Sequence, residues 1–292
     1  MGRVSYDFTG QTVVITGGSR GIGFGVAKGF AQAGADVVIL SSGSGIDDAV
    51  KELAAFGTVS GVQADITNRD QIITALAGIE KIDVLVNNAG IGGNGVCEET
   101  SIDEYKDVMD VNLYGVIRGV QAVLPHMRER GTGCIINVSS IAGVIAALAQ
   151  SPYVASKWAL EGLTEGLAQE VASHGIRVAL IEPGIVKTAI MAKNTAAPNA
   201  SGAYDRAYQR MFNFYTTGLA TPGQPSEVAE VIYQAATDET PKLRYTCGWG
   251  GSELVAGKAK ISDEDWVALG AIESDADYAA RFKELFDLDL VS

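Results

Sequence analysis

Tyr153 and Lys157 stand four residues apart in the run Tyr153-Val154-Ala155-Ser156-Lys157. On a helix that spacing puts both side chains on one face, about 5–6 Å apart at Cβ. A phenol with a pKa of ~10 is only about 0.1% ionised at pH 7. A neighbouring ammonium favours the phenolate, and bringing the phenol to about 7 takes roughly 4 kcal/mol of differential stabilisation. A phenol so poised can give a proton to a carbonyl oxygen or take one from an alcohol. An arbitrary YxxxK is ordinarily a half-buried tyrosine beside a surface lysine, so the reading rests on its companions.

One companion is the run Thr16-Gly17-Gly18-Ser19-Arg20-Gly21-Ile22-Gly23, which follows an apolar stretch and opens a helical pattern. A glycine-rich turn between strand and helix lets backbone approach a pyrophosphate, and the helix N-terminus supplies amides and a positive dipole. Two rivals share this context. Gly17 to Gly21 also fits GxSxG, the nucleophile elbow of a serine hydrolase with Ser19 as nucleophile. That chemistry needs a later histidine, and the only two, His126 and His174, lie in helical patterns that look structural. A P-loop would need Lys and Ser or Thr after its last glycine, where Phe24 stands.

The elements around these residues alternate. Thr12 to Thr16, Val37 to Leu40, Val59 to Ala64, Asp83 to Val86, Cys134 to Val138 and Arg177 to Ile181 read as strands, and Lys242 to Cys247 as a possible seventh. Longer segments of helical periodicity separate them, among them Asp103 to Arg130 and Tyr153 to Ser173. Continuous apolar strands alternating with helices imply an α/β fold, with a doubly wound, mostly parallel seven-stranded sheet covered on both faces. Residues 1–292 are expected to form one dinucleotide-binding catalytic domain, with 188–222 as a substrate loop or lid. Residues 240–292 would be an extension on the same domain, with a helix start at Ser262-Asp263-Glu264-Asp265. Asn194 to Gly202 reads as a mobile loop.

With these pieces in order, the chain resembles the short-chain dehydrogenase/reductase family in its single-domain form. The matching residues run from the first strand to about Thr188: the Thr16 to Gly23 loop, Asp65-Ile66, Asn87-Asn88-Ala89-Gly90, Asn112, Ser140, Tyr153, Lys157, Pro183-Gly184 and Thr188. The resemblance implies hydride transfer between NAD(P)(H) and an alcohol/carbonyl pair, with Tyr153 as acid–base. Ser140 would hold the substrate oxygen, Lys157 would also bind the nicotinamide ribose, and Asn112 would hold a water linking Lys157 to solvent. Asn87 and Gly90 would close over the adenosine ribose and phosphates, and Asp65 would meet the adenine amine. Gly184 and Thr188 would secure the pyrophosphate–carboxamide end. Gly17, Ser19, Arg20, Gly21, Ile22, Gly23, Ser41, Ser42, Ile66, Ala89, Pro183 and Val186 complete the expected cofactor set. A dimer or tetramer through the helices Asp103 to Arg130 and Tyr153 to Ser173 is implied as well.

Cofactor choice is read at the end of the second strand, where a carboxylate selects NAD and a cation accommodates the 2′-phosphate of NADP. Here the strand ends Leu40-Ser41-Ser42-Gly43 without an acid, and Arg20 is placed for a phosphate. NADP(H) is therefore expected over NAD(H). Pocket walls should come from Ile141 to Gln150, Ile185 and the segment from Thr188 to Thr221. That segment carries Met191, Tyr204, Tyr208, Met211, Phe212, Phe214 and Tyr215, which at helical spacing are more often core or interface than ligand box. A moderately apolar alcohol, ketone or aldehyde fits best, since no basic cluster marks an anionic substrate there.

Bulk composition narrows the classes. A formal net charge of −13 leaves no basic stripe for nucleic acid or an anionic membrane. No apolar run approaches the ~20 residues that span a bilayer, and the N-terminal residues lack a secretory pattern. Three cysteines, Cys97, Cys134 and Cys247, read as free thiols, and with two histidines they make a protein-built metal site unexpected. A cytoplasmic enzyme is the reading. The alternative is a non-catalytic dinucleotide-binding or scaffold protein on the same fold.

Overall fold

The computed structural model describes residues 6–188 and 199–291. Its centre is a seven-stranded sheet: β1 (Thr12–Thr16), β2 (Asp36–Ser41), β3 (Val59–Gln63), β4 (Val84–Asn87), β5 (Gly133–Val138), β6 (Ile176–Pro183) and β7 (Arg244–Cys247). The order is β3-β2-β1-β4-β5-β6-β7, and every pair is parallel. The tentative strand within Lys242 to Cys247 is thus the sheet's edge.

Alternation of side chains along each strand feeds two cores. Val13 and Ile15 of β1 and Val84 and Val86 of β4 face one core, with α1 (Gly21–Gln32) and α2 (Ile46–Leu53). Val14, Leu85 and Ile135 face the other, with α3 (Arg69–Ala77) and two long helices described next. Both faces are buried, which is why these strands read as unbroken apolar runs.

The Asp103 to Arg130 pattern proves to be three pieces: α4 (Ile102–Met109), a π-helical turn (Asp110–Tyr114) and α5 (Gly115–Arg130). A π-turn widens the ladder by one residue and is common at functional sites. Asn112 sits in it. α6 (Ser151–Val171) begins with Pro152 in its first turn, where the missing N–H costs nothing. Then follow α7 (Asp205–Ala220), α8 (Pro225–Thr237), α9 (Gly251–Lys258), α10 (Asp263–Gly270) and α11 (Asp275–Phe286). The expected start at Ser262 is a capping box, with Ser262 Oγ accepting from Asp265 N at 3.0 Å. α8 joins the first core through Val228 and Ile232. The tail packs Leu254, Leu269, Tyr278, Phe282 and Phe286 against Ile141 and Ile145 in a cluster of its own. Met191 and most of the Asn194 to Gly202 stretch lie outside the described residues.

Candidate active site

Strand order reverses between β1 and β4, and ligands of such sheets bind outside the carboxyl ends there. Gly17 (φ +68°) and Gly21 (φ +58°) take the left-handed conformation that glycine alone adopts freely. A Cβ at Gly17 would lie 3.0 Å from Ala89 Cα. This closeness comes from stitching: the Asn88 and Ala89 amides both donate to Thr16 Oγ1 at 3.0 Å, and Asn88 Nδ2 donates to the Thr16 carbonyl at 2.9 Å. Arg20 occupies the N-cap of α1 with no side-chain cap. The first-turn amides and the helix dipole therefore face the cleft, an arrangement suited to phosphate.

The cleft encloses about 1460 Å³ of space, open solvent at its mouth included. Its walls are the glycine loop, Ser41 and Ser42 at the end of β2, Asp65 and Ile66 after β3, Ala89 and Gly90 after β4, Pro183, Gly184, Val186 and Thr188 at and beyond the end of β6, and Tyr153 with Lys157. Two residues of the expected cofactor set do not line it. A Cβ at Gly23 would overlap the Gly17 carbonyl, so this glycine lets α1 start tight against the loop. Asn87 is buried, and its Nδ2 donates to Asn137 Oδ1 at 2.9 Å, behind which Asn137 Nδ2 reaches Thr164 Oγ1 at 2.9 Å. Its side chain belongs to the interior between sheet and α6. The neighbouring Asn88 lines the cleft in its place. Asp65 lies in the wall, with Oδ1 engaged by the amide and hydroxyl of Thr67 at 2.9 and 2.8 Å.

Ser140, Tyr153 and Lys157 converge at the deep end of the cleft. Ser140 Oγ accepts from Ala142 N at 3.2 Å and lies within hydrogen-bonding reach of the Tyr153 hydroxyl. Lys157 is buried, its Nζ 5.7 Å from the Tyr153 ring centroid and donating to the Val138 carbonyl at 3.0 Å. Burial pulls the ammonium down to about 8, and the carboxylate of Glu161, one turn on, opposes that pull. The phenol differs from the sequence expectation. Burial pushes Tyr153 above its usual value, with only the Ser140 hydrogen bond pulling the other way. In the protein alone Tyr153 is a protonated acid, not a phenolate, because desolvation outweighs a cation that spends itself on a carbonyl.

Asn112 is buried and its amide is spent: Oδ1 accepts from Ile91 N at 2.9 Å, and Nδ2 donates to Ile91 O at 2.9 Å and Ser156 Oγ at 3.0 Å. The side chain thereby clamps the Ile91 backbone to α6. Behind Lys157, Glu161 and Glu182 are buried around Arg244, whose Nε lies 3.0 and 3.4 Å from their carboxylates. Ser19, the rival nucleophile, shares a hydrogen bond with Ser41 Oγ at 2.9 Å, and both histidines are exposed away from the cleft.

A second cavity of about 920 Å³, its open mouth included, meets the first at Ser140, Tyr153 and Gly184. Its other walls are mainly apolar: Ile141, Ile145, Met211, Phe214 and Leu254 among them, with Trp266 and Phe282 from the tail. Ser140 and Tyr153 thus stand where the cleft opens into an apolar chamber, with Lys157 on the cleft side.

The family model for short chain dehydrogenases matches residues 11–199. The chain belongs to the short-chain dehydrogenase/reductase family. It is 35% identical over 270 residues to a 3-alpha-(or 20-beta)-hydroxysteroid dehydrogenase of Mycobacterium bovis, covering 90% of this chain and 94% of that one. Among solved structures, a short-chain dehydrogenase from Streptomyces avermitilis matches with a TM-score of 0.78 and 31% identity, over 91% of this chain and 100% of that one. A variant of actinorhodin polyketide ketoreductase solved with NADPH matches with a TM-score of 0.70 and 30% identity, over 81% and 95%. As a short-chain dehydrogenase/reductase, this protein is an NAD(P)-dependent oxidoreductase that transfers hydride.

Sequence reasoning left open whether the tail from Thr240 closes the pocket or reaches a neighbouring subunit; in the structure Leu254, Trp266, Tyr278 and Phe282 of the tail line the second cavity. One feature of the site was missed. Arg210 lies in the chamber wall. Its signal was present, since it is a lone cation between Tyr208 and Met211 in an otherwise apolar stripe.

Proposed function

We propose that this enzyme interconverts a largely apolar ketone or aldehyde and its alcohol, with NADP(H) preferred over NAD(H). The observation that carries this reading is the meeting of the two cavities at Ser140, Tyr153 and Gly184. When bound, the dinucleotide supplies or accepts the hydride. Ser140 orients the substrate oxygen, and Tyr153, held protonated by burial, donates its proton to that oxygen during reduction. Lys157 holds a positive charge beneath the phenol ring and stabilises the phenolate left behind. Asn112 positions, through Ile91 and Ser156, the backbone and helix face on which this pair stands.

The NADP preference rests on the absence of an acid at Ser41 and Ser42 and on the exposed Arg20 beside them. The NADPH in the ketoreductase neighbour agrees with it. The lid role expected of 188–222 falls to α7 among the described residues, with the tail from residue 240 as the roof. Tyr114 and Trp158, about half exposed on the α4–α6 side, support a homo-oligomer built through those helices. No helix among the described residues is long and apolar enough to cross a membrane, and free cysteines fit a cytoplasmic setting.

The test is a carbonyl and alcohol panel run with NADH and NADPH on the wild type and Tyr153→Phe. Wild-type turnover with NADPH should exceed that with NADH. The variant should lose about 10²–10⁴-fold in kcat while keeping its affinity for NADPH. A phenylalanine variant as fast as wild type would remove Tyr153 from the mechanism. Tight nucleotide binding without turnover of any panel member would restore the scaffold alternative.

A further inference from the structure

Arg210 is 3% exposed and is the one charged side chain in the walls of the substrate chamber among the described residues. Its Nε donates to Asp275 Oδ1 at 2.9 Å, its Nη2 to the Ile272 carbonyl at 2.6 Å, and its guanidinium lies 4.1 Å from the Tyr278 ring centroid. Nη1 makes no hydrogen bond among the described residues. A guanidinium carries five N–H donors, and Nη1, unlike the fully buried unpaired atoms among the described residues, opens onto accessible space. Tying α7 to the tail uses only the edge that meets Asp275 and Ile272. It does not account for a guanidinium in an apolar cavity wall with donors to spare.

Position along α7 says what the spare donors meet. Gly218, on the same helix, comes so close to Ile185 that a Cβ there would overlap it. Ile185 follows Gly184, which borders both cavities. Eight residues of helix separate Gly218 from Arg210, about 12 Å at 1.5 Å per residue. The Arg210 backbone therefore lies about 12 Å along α7 from the turn packed on Ile185, and Met211, Phe214 and Phe282 line the same chamber. The charge balance says what kind of group suits it. Asp275 already neutralises Arg210, and Glu273 and Asp277 flank it in the same tail segment. A second anion would meet these acids, whereas an uncharged oxygen needs only the donor.

Resting on the hydride-transfer reading above, we propose that Arg210 determines specificity by donating to a neutral oxygen, a carbonyl or hydroxyl, at the far end of an elongated apolar ketone. The substrate class is thus a dioxygenated apolar molecule, oxidised or reduced at one end and gripped at the other.

A matched pair tests this: 4-cyclohexylcyclohexanone, and the same bicyclic ketone bearing a second carbonyl at the distal ring position. With NADPH, the wild type should favour the diketone by about tenfold or more in kcat/KM, mainly through KM. Calorimetric titration in saturating NADP+ should show the same preference in Kd without turnover. Arg210→Met should bring both ratios close to one. Equal wild-type kcat/KM and Kd for the two ketones would overturn the proposal without any variant, so a misfolded Arg210→Met does not shelter it. An equal loss on both ketones in a folded variant would mark Arg210 as a structural tie and overturn it too. Turnover of other panel carbonyls with no preference in Kd defeats the Arg210 proposal alone. Failure of every carbonyl with both nucleotides defeats the hydride-transfer reading and this inference with it.

Discussion

At the scale of single residues, protonation states decide the direction in which the site is prepared to work. Reduction needs a proton on Tyr153 and a charge on Lys157. Burial keeps the phenol protonated and leaves the ammonium titrating at about 8. The lysine is charged below that value and neutral above it, so kcat/KM for ketone reduction should hold level in mild acid and fall above about pH 8. A pH profile of kcat/KM, which reports groups of the free enzyme, checks it; a falling limb near 10 would show that Lys157 is not the controlling group. Tyr153 and Lys157 could be singled out by their helical spacing, Ser140 and Asn112 only through the family resemblance, and the structure brings Ser140, Tyr153 and Lys157 to one cleft. Their electrostatics were not legible. The helical spacing of Tyr153 and Lys157 shows proximity, but only the fold shows that Lys157 reaches for Val138 and that desolvation outweighs its field. Asn87 was misplaced for a similar reason, since a strand residue alternates between faces and the next asparagine took the cleft.

At the scale of elements, α6, β6 and β7 are held at their junction by Glu161, Glu182 and Arg244. Burial and the nearby Glu161 carboxylate push Glu182 up to about 7, against the pull of Arg244. A carboxyl raised in the folded state keeps its proton longer than in the unfolded chain. Its contribution to stability is full below about 4.5 and is lost as pH rises through about 7. Glu182→Gln, neutral throughout, should gain in Tm over the wild type between pH 5 and pH 8, by a few degrees on the order of 2–4 °C per kcal/mol. A difference in Tm that stays flat across that range would show Glu182 to be ionised and well paired. The strands themselves were readable as unbroken apolar runs, because both faces of a parallel sheet are covered. The π-turn at Asp110–Tyr114 was not, since a one-residue widening leaves helical periodicity on either side intact.

At the scale of the whole molecule, the tail is integral to the substrate chamber. Phe282 is 3% exposed, lies 4.7 Å from the Phe286 ring centroid and 6.2 Å from that of Phe214, and borders the cavity. Phe282→Ala should lower stability by about 3–5 kcal/mol, read by denaturant titration, and should enlarge the chamber. A loss under about 1 kcal/mol would mean that the tail rests on the sheet without sharing its cooperativity. The doubly wound parallel sheet followed from strand–helix alternation, and the tail was expected on the same domain, yet where it docks was not legible, because its contacts to Ile141 and Ile145 span more than a hundred residues of sequence. One consequence lies in how mutation can act on this enzyme. Nucleotide and proton chemistry are encoded before residue 190, while much of the chamber's ceiling is encoded after 205. Changes at those ceiling residues can therefore retune which molecules are accepted while leaving the groups that carry the reaction in place.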